Sequence, residues 1–234
     1  MGGWTVTGGR DAIDAAAVRA FIQRYAALIE ARREELTALD AAIGDADHGT
    51  NMDRGLKKAL ERLPEGEALP ANVLKSTAMA LLSHVGGAAG PLYGTAFLRA
   101  ARAVEGLPAL SPEDVLRAFQ AALAGIEERG KAAPGDKTMV DAFRPAVEAL
   151  ETALRSDRSL EEALQAAHRA ALAGSEATIP LVAKKGRASY LGERARGHRD
   201  PGSLSAALLF QAAAGEVPKK PGEDGGQIGG AAGR

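Results

Sequence analysis

The chain has 234 residues, with 29 Lys and Arg set against 30 Asp and Glu, for a formal net charge of -1. That balance gives no electrostatic pull toward nucleic acid or an anionic membrane, and the absence of cysteine excludes disulfides, thiolate metal sites and a cysteine nucleophile. No apolar run approaches the roughly 20 residues of a membrane span, and the opening Met1-Gly2-Gly3-Trp4-Thr5-Val6 lacks the basic and apolar regions of a signal peptide, so a cytoplasmic, soluble protein is expected.

Alanine and leucine abound, aromatics make up only 4% and β-branched clusters are scarce, which leaves strands little to build from. After a flexible N-terminus over residues 1–10, one helical domain is expected over 11–214. From about Asp14 to Leu36, Val18, Phe21, Ile22, Tyr25, Leu28 and Ile29 recur at spacings of three and four, the stripe of a long amphipathic helix. A second helix is expected from Thr50 to about Leu63, stopped by Leu63-Pro64-Glu65-Gly66, a third from Asn72 to about His84, and a fourth from Pro91. Ser111-Pro112-Glu113-Asp114 supplies a capping serine, a proline in the first helical position and an acid at the third. Thr138-Met139-Val140-Asp141 and Ser159-Leu160-Glu161-Glu162 offer similar starts. The last helix, about Ser203 to Ala213, is apolar on most sides and should be buried. Residues 215–234 read as a Gly-rich tail without core-forming side chains. Eight helices with mostly short connections imply antiparallel neighbours.

Four loops interrupt these helices with chemistry of their own. The first holds Asp40, Asp45 and Asp47 within a few residues of Gly44, His48 and Gly49, and no Lys or Arg. Carboxylates so close repel one another unless a cation sits among them, and oxygen-only ligands suit a hard ion such as Mg²⁺ that completes its shell with water and phosphate. The second, Val85-Gly86-Gly87-Ala88-Ala89-Gly90-Pro91, leaves helix N–H groups open either to an anion or merely to close packing in a tight turn. It lacks the lysine of a P-loop. The third, Arg129 to Met139, reads by itself as a polar connection ending in the Thr138 cap. The fourth runs from Lys184 through Arg187 to the turn Asp200-Pro201-Gly202. Arg187 there is either a solvated charge or a fork of donors for phosphate oxygens.

Taken together, Asp40-x4-Asp45-Ala46-Asp47-His48-Gly49-x-Asn51-Met52, Gly86-Gly87-Ala88-Ala89-Gly90-Pro91-Leu92-Tyr93-Gly94-Thr95, Pro134-Gly135-Asp136-Lys137-Thr138-Met139 and Lys185-Gly186-Arg187-Ala188-Ser189-Tyr190-Leu191-Gly192-Glu193-Arg194 closely resemble the ADP-binding L subunits of bacterial dihydroxyacetone kinases. The likeness spans roughly Val18 to Ala214, with the motifs in the same order. It implies an all-α, eight-helix antiparallel up-and-down barrel with a nucleotide held by the loops at one end. It further implies two Mg²⁺ on Asp40, Asp45 and Asp47, with His48, Gly49, Thr50 and Asn51 beside the phosphates. Ala88 and Ala89 would line the second loop, Gly130 and Met139 the adenine side, and Asp200, Pro201 and Gly202 would close over the nucleoside. Arg187 would meet phosphate and serve as the catalytic residue. The chain departs from the family pattern at Ala89, where many relatives carry serine, so any hydroxyl contact there is lost while a backbone N–H remains.

The resemblance implies a phosphotransferase subunit whose bound ADP is a carrier. A phosphohistidine on a donor M subunit would make ATP in place, and the phosphoryl group would pass to dihydroxyacetone held on a K subunit. An ATP-exchanging kinase of the same fold, and a non-catalytic nucleotide-binding regulator contacting a transcription factor, are the alternatives. A homodimer is also implied. None of the four histidines, His48, His84, His168 and His198, is expected to carry phosphate, because the nucleotide already fills that part.

Overall fold

Helix starts are set locally. Asp14 caps the first helix by accepting a hydrogen bond from the Ala17 N–H at 2.8 Å. Ser111 and Asp114 exchange side-chain and backbone bonds in a capping box, as do Ser159 and Glu162. In the computed structural model, which describes residues 12–217, these starts belong to α1 Ala15–Ala31, α6 Pro112–Gly130 and α8 Leu160–Glu176. The remaining helices are α2 Arg33–Ile43, α3 His48–Leu60, α4 Pro70–His84, α5 Ala89–Ala103, α7 Val140–Arg155 and α9 Pro201–Ala213, with a kinked 3-10 segment at Arg187–Ala195. Among the described residues there is no strand, only an isolated antiparallel bridge between Ile13 and Leu110.

From α3 to α9 each long helix packs on the next, and α9 returns onto α1 and α2, which pack on α3, so the ring closes. Every second connection of such an up-and-down ring emerges at the same end. That rule gathers the α2–α3, α4–α5, α6–α7 and α8–α9 connections, which are the four loops singled out in the sequence.

The core is aliphatic with a few rings. Ile22, Tyr25, Ile29, Leu36, Met52, Leu56 and Leu81 are fully enclosed. Phe210 of α9 lies 5.0 Å from Phe119 and 4.9 Å from Phe143, centroid to centroid. Every residue of α9 except Gly202 and Gln211 is buried, as its apolar composition requires. Emptying the Phe210 site would cost about 3–5 kcal/mol.

The all-α barrel is as expected, with one rearrangement. The expected helix over Asp14–Leu36 is two: Arg32 leaves helical geometry at φ -107°, ψ 13°, and the chain resumes as α2 through Ile43. Counting that pair as one interrupted helix leaves eight. Asp40 is consequently the last-turn residue of a helix rather than part of a loop. The fourth loop also holds the 3-10 segment. The expected flexible N-terminus (1–10) and all of the expected tail beyond Val217 lie outside the described residues. At the tail's start, Glu216 is tied to α8 by His168 Nδ1 at 3.1 Å.

Candidate functional site

The acidic turn is built around Asp40. Its Oδ2 accepts the backbone N–H of Asp47 at 2.8 Å and of His48 at 3.1 Å, so a carboxylate at the end of α2 satisfies donors at the start of α3. Glycines make room for it. A Cβ at Gly44 would lie 2.1 Å from Asp40 Oδ1, and one at Gly49 would lie 2.2 Å from the Arg33 carbonyl of α2. Asp45 and Asp47 face outward, and one oxygen from each of the three carboxylates falls within 4.8 Å of the others. Three oxygen donors at that spacing, with Asp40 Oδ1 left free of the loop's N–H groups, fit a hard divalent cation. Arg187 Nη2 reaches Asp45 Oδ2 at 3.0 Å, bringing the fourth loop over the first.

Behind the turn runs a polar chain into the barrel. His48 Nε2 lies 2.9 Å from Ser205 Oγ, Tyr93 Oη lies 2.7 Å from the same oxygen, and Tyr25 Oη donates to the Ser205 carbonyl at 3.3 Å. Ser205 has one hydroxyl proton, directed at the Gly202 carbonyl at 3.0 Å. Tyr93 and the Nε2–H of His48 therefore act as donors to Ser205 Oγ. Burial lowers the His48 pKa, although Asp40 and Asp47 pull the other way. The ring is thus a neutral anchor. His84 Nδ1 is bonded to the Ala80 carbonyl at 3.0 Å.

The third loop is folded by its own acids. Asp136 Oδ2 accepts the Ala133 N–H at 2.9 Å, and Asp141 accepts the N–H groups of Gly135 at 2.5 Å and Thr138 at 2.8 Å. Between them Lys137 is 1% exposed, with its ammonium among the carbonyls of Thr178, Ile179, Leu181 and His198. Asp200 caps α9 through the Ser203 N–H at 2.6 Å, and its own N–H donates to Thr178 Oγ1 at 3.0 Å. Burial, foremost, pushes its pKa up to about 7 against that Ser203 bond, with Asp141 and Asp40 adding repulsion and Lys137 opposing it.

These loops enclose a cavity of about 560 Å³, within the range of small-ligand sites. Its charged lining includes Asp40, Asp45, Asp47, Arg129 and Arg187, its apolar lining Leu92, Ile126, Ala132, Met139, Val140 and Pro201. His48, Ala88, Ala89, Gly130, Asp200 and Gly202 also line it. Gly49, Thr50 and Asn51 do not: Gly49 is packed on α2, Thr50 is exposed, and Asn51 is buried with Oδ1 accepting from Arg54 at 2.6 Å. Ala89 is the first residue of α5, after the N-cap Ala88. Lys137 and Lys185 also line the cavity; both stand within the motifs above, yet the sequence assigns neither a role. Nothing in the sequence marks Lys137 as buried, because its partners are backbone carbonyls 41 to 61 residues away.

Residues 42–215 match the DAK2 domain. The ADP-binding subunit of the phosphoenolpyruvate-dependent dihydroxyacetone kinase of Escherichia coli is 45% identical over 192 residues, covering 82% of this chain and 91% of that one. The corresponding subunit of kinase 1 of Listeria innocua is 45% identical over 185 residues, covering 79% and 87%. Among solved structures, the dihydroxyacetone kinase from C. freundii in complex with AMP-PNP and Mg²⁺ superposes with a TM-score of 0.63 at 26% identity, covering 90% of this chain and 36% of that longer one. The chain belongs to the DAK2 domain family, alongside the ADP-binding subunits of bacterial dihydroxyacetone kinases.

Proposed function

We propose that this chain is the nucleotide-carrying subunit of a phosphoenolpyruvate-dependent dihydroxyacetone kinase, a phosphotransferase. The observation that carries it is the convergence, in one cavity, of three carboxylates within 4.8 Å of one another and an arginine on the facing loop. The sequence likeness to subunits named for ADP binding supports the nucleotide.

The residues divide the work physically. Asp40, Asp45 and Asp47 would hold two Mg²⁺, which when bound would neutralise the polyphosphate. The apolar lining, with Gly130 and Met139, would take the adenine, and Pro201 and Gly202 the nucleoside edge. Asp40 fixes the start of α3 and would also hold the metal, so the helix junction itself would help to place the phosphates. Arg187 would leave Asp45 and donate to the transferred phosphoryl oxygens, where charge develops. Dihydroxyacetone would be presented at the cavity mouth by a separate K subunit. A phosphohistidine M subunit would recharge the nucleotide without its release. Tyr190, three residues beyond Arg187 and 88% exposed, would be available for such a subunit to meet.

The test is reconstitution. The purified chain is mixed with a K subunit, dihydroxyacetone and Mg²⁺, and supplied with either a phosphorylated M subunit or free ATP. Turnover with the phosphoprotein and slow exchange of bound nucleotide are expected. Turnover with ATP alone, with rapid exchange, would instead assign an ATP-exchanging kinase, a possibility favoured by the AMP-PNP complex of the C. freundii relative.

A further inference from the structure

Lys137 is the most completely enclosed charge near the cavity, and the metal and phosphate chemistry above gives it no part. Its Nζ donates to the carbonyls of Thr178 at 2.8 Å, Leu181 at 3.2 Å and Ile179 at 3.4 Å, and to that of His198. An ammonium has three protons, so four carbonyls surround it much as oxygens surround a bound cation. Burial lowers its pKa, with Asp200 opposing.

The location of those carbonyls is the informative part. Thr178, Ile179 and Leu181 belong to the chain as it leaves α8, and His198 to the chain as it returns to α9. Between these ends lies the excursion that bears Lys185, Arg187 and Tyr190. Other bonds close the same neck: Gly197 N–H to the Ile179 carbonyl at 2.9 Å, and Arg196 Nη1 to the Pro180 carbonyl at 2.8 Å. The excursion is also docked on the residue before Lys137, through the Lys184 N–H to the Asp136 carbonyl at 3.0 Å. One side chain from the α6–α7 connection thereby gathers both ends of the α8–α9 connection. Without its charge, four carbonyl dipoles would face one another in a buried space, which is costly.

We propose that Lys137 is a positioning residue for phosphoryl transfer: its ammonium clamps the neck of the 178–198 excursion and so holds Arg187 above Asp45. The clamp is a statement about the fold, and its consequence for transfer rests on the function proposed above.

Two variants and one amine test it. Lys137→Met keeps most of the volume and removes the charge, whereas Lys137→Ala leaves a channel that n-propylammonium can refill. Limited trypsin digestion reports on the excursion directly, since Lys184, Lys185, Arg187, Arg194 and Arg196 lie in it. In Lys137→Met, cleavage there is expected to accelerate about tenfold or more, following the population of the opened form. In the reconstituted kinase, turnover should fall about tenfold while KM for the ketose and ADP retention stay within about threefold. Added n-propylammonium should restore both trypsin resistance and turnover to Lys137→Ala and do nothing for Arg187→Ala. Unchanged cleavage in Lys137→Met would overturn the clamp, as would a lowered melting temperature with turnover intact. Failure of the amine to protect Lys137→Ala counts equally against it. Should Lys137→Met not fold, Lys137→Ala purified in the amine is expected to become trypsin-sensitive once the amine is dialysed away, and lasting resistance would overturn the clamp. If the wild-type chain supports no transfer at all, the proposed function fails, and the digestion still tests the clamp.

Discussion

Arg187 and Asp45 lie 3.0 Å apart, guanidinium to carboxylate, with 68% and 35% of their side chains exposed. So open a pair contributes little to stability, and it joins a loop arginine to a carboxylate of the proposed metal site. A Mg²⁺ held there and the arginine would therefore draw on the same carboxylate. In the proposed function, a cation on Asp45 would free the guanidinium to turn to phosphate. Arg187→Ala is expected to slow phosphoryl transfer about a hundredfold or more. Mg²⁺ affinity should change by less than about threefold, because the lost pair is solvent-screened. Single-turnover rates beside Mg²⁺ titrations separate the two effects, and equal losses would make Arg187 a binding residue only.

Asp40 differs from the other two carboxylates because it also shapes the backbone. Its bonds to the N–H groups of Asp47 and His48 are charge-assisted and partly buried. Asp40→Ala is expected to cost about 1–3 kcal/mol of folding stability in addition to cation binding. Asp45→Ala and Asp47→Ala should abolish Mg²⁺-dependent nucleotide retention at nearly unchanged stability. Gly44→Ala would bring a Cβ to 2.1 Å from Asp40 Oδ1, so it should resemble Asp40→Ala although no carboxylate is lost. Urea melts and ADP retention after gel filtration, with and without chelator, distinguish these four variants.

The same residue explains what the sequence could and could not reveal. The buried stripe of α2 is Leu36, Asp40 and Ile43, a helical spacing with an acid in its middle. An apolar pattern broken by a carboxylate looks like the end of a helix, so α2 is foreshadowed only as far as Leu36. The break at Arg32 leaves no glycine or proline to announce it. Capping chemistry is local, which is why Ser111 and Ser159 announce α6 and α8. The gathering of four loops at one end follows from the up-and-down order of the helices. By contrast, the cage around Lys137 and the bond between His48 and Ser205 depend on contacts across the barrel, which spacing along a chain does not encode.

Asp200 makes the stability pH-dependent in an unusual direction. Its pKa is raised to about 7, chiefly by burial, against about 3.9 for a free aspartate. The folded chain then holds more protons than the unfolded chain between those values. The contribution of this group to stability is fully present below about pH 4 and is lost as pH rises through about 7. Asp200→Asn keeps a capping oxygen for the Ser203 N–H and cannot ionise. It should therefore be at least as stable as wild type above about pH 7 and lose its advantage toward about pH 5. Urea denaturation at both values checks the sign. A wild-type chain that gains on Asp200→Asn as pH rises would contradict it.

Tyr190 lies on the α8–α9 connection. It is 88% exposed, the most open of the large apolar side chains among the described residues. It sits in the 3-10 segment that begins with Arg187, three residues from that arginine. Exposed aromatics of this kind are common anchors in protein interfaces. Phosphoryl transfer between two chains requires the acceptor oxygen within about 3–3.5 Å of the phosphorus, so in the proposed function the K subunit would seat itself beside Arg187. Tyr190→Ala is expected to weaken association with the K subunit by about tenfold or more. ADP retention and stability should be unaffected, since the ring packs on little within its own chain. Calorimetric titration of the two subunits measures the first, and gel filtration with bound nucleotide the second. An unchanged affinity would move the acceptor's docking surface away from the 3-10 segment, and with it the direction from which dihydroxyacetone reaches the phosphoryl group.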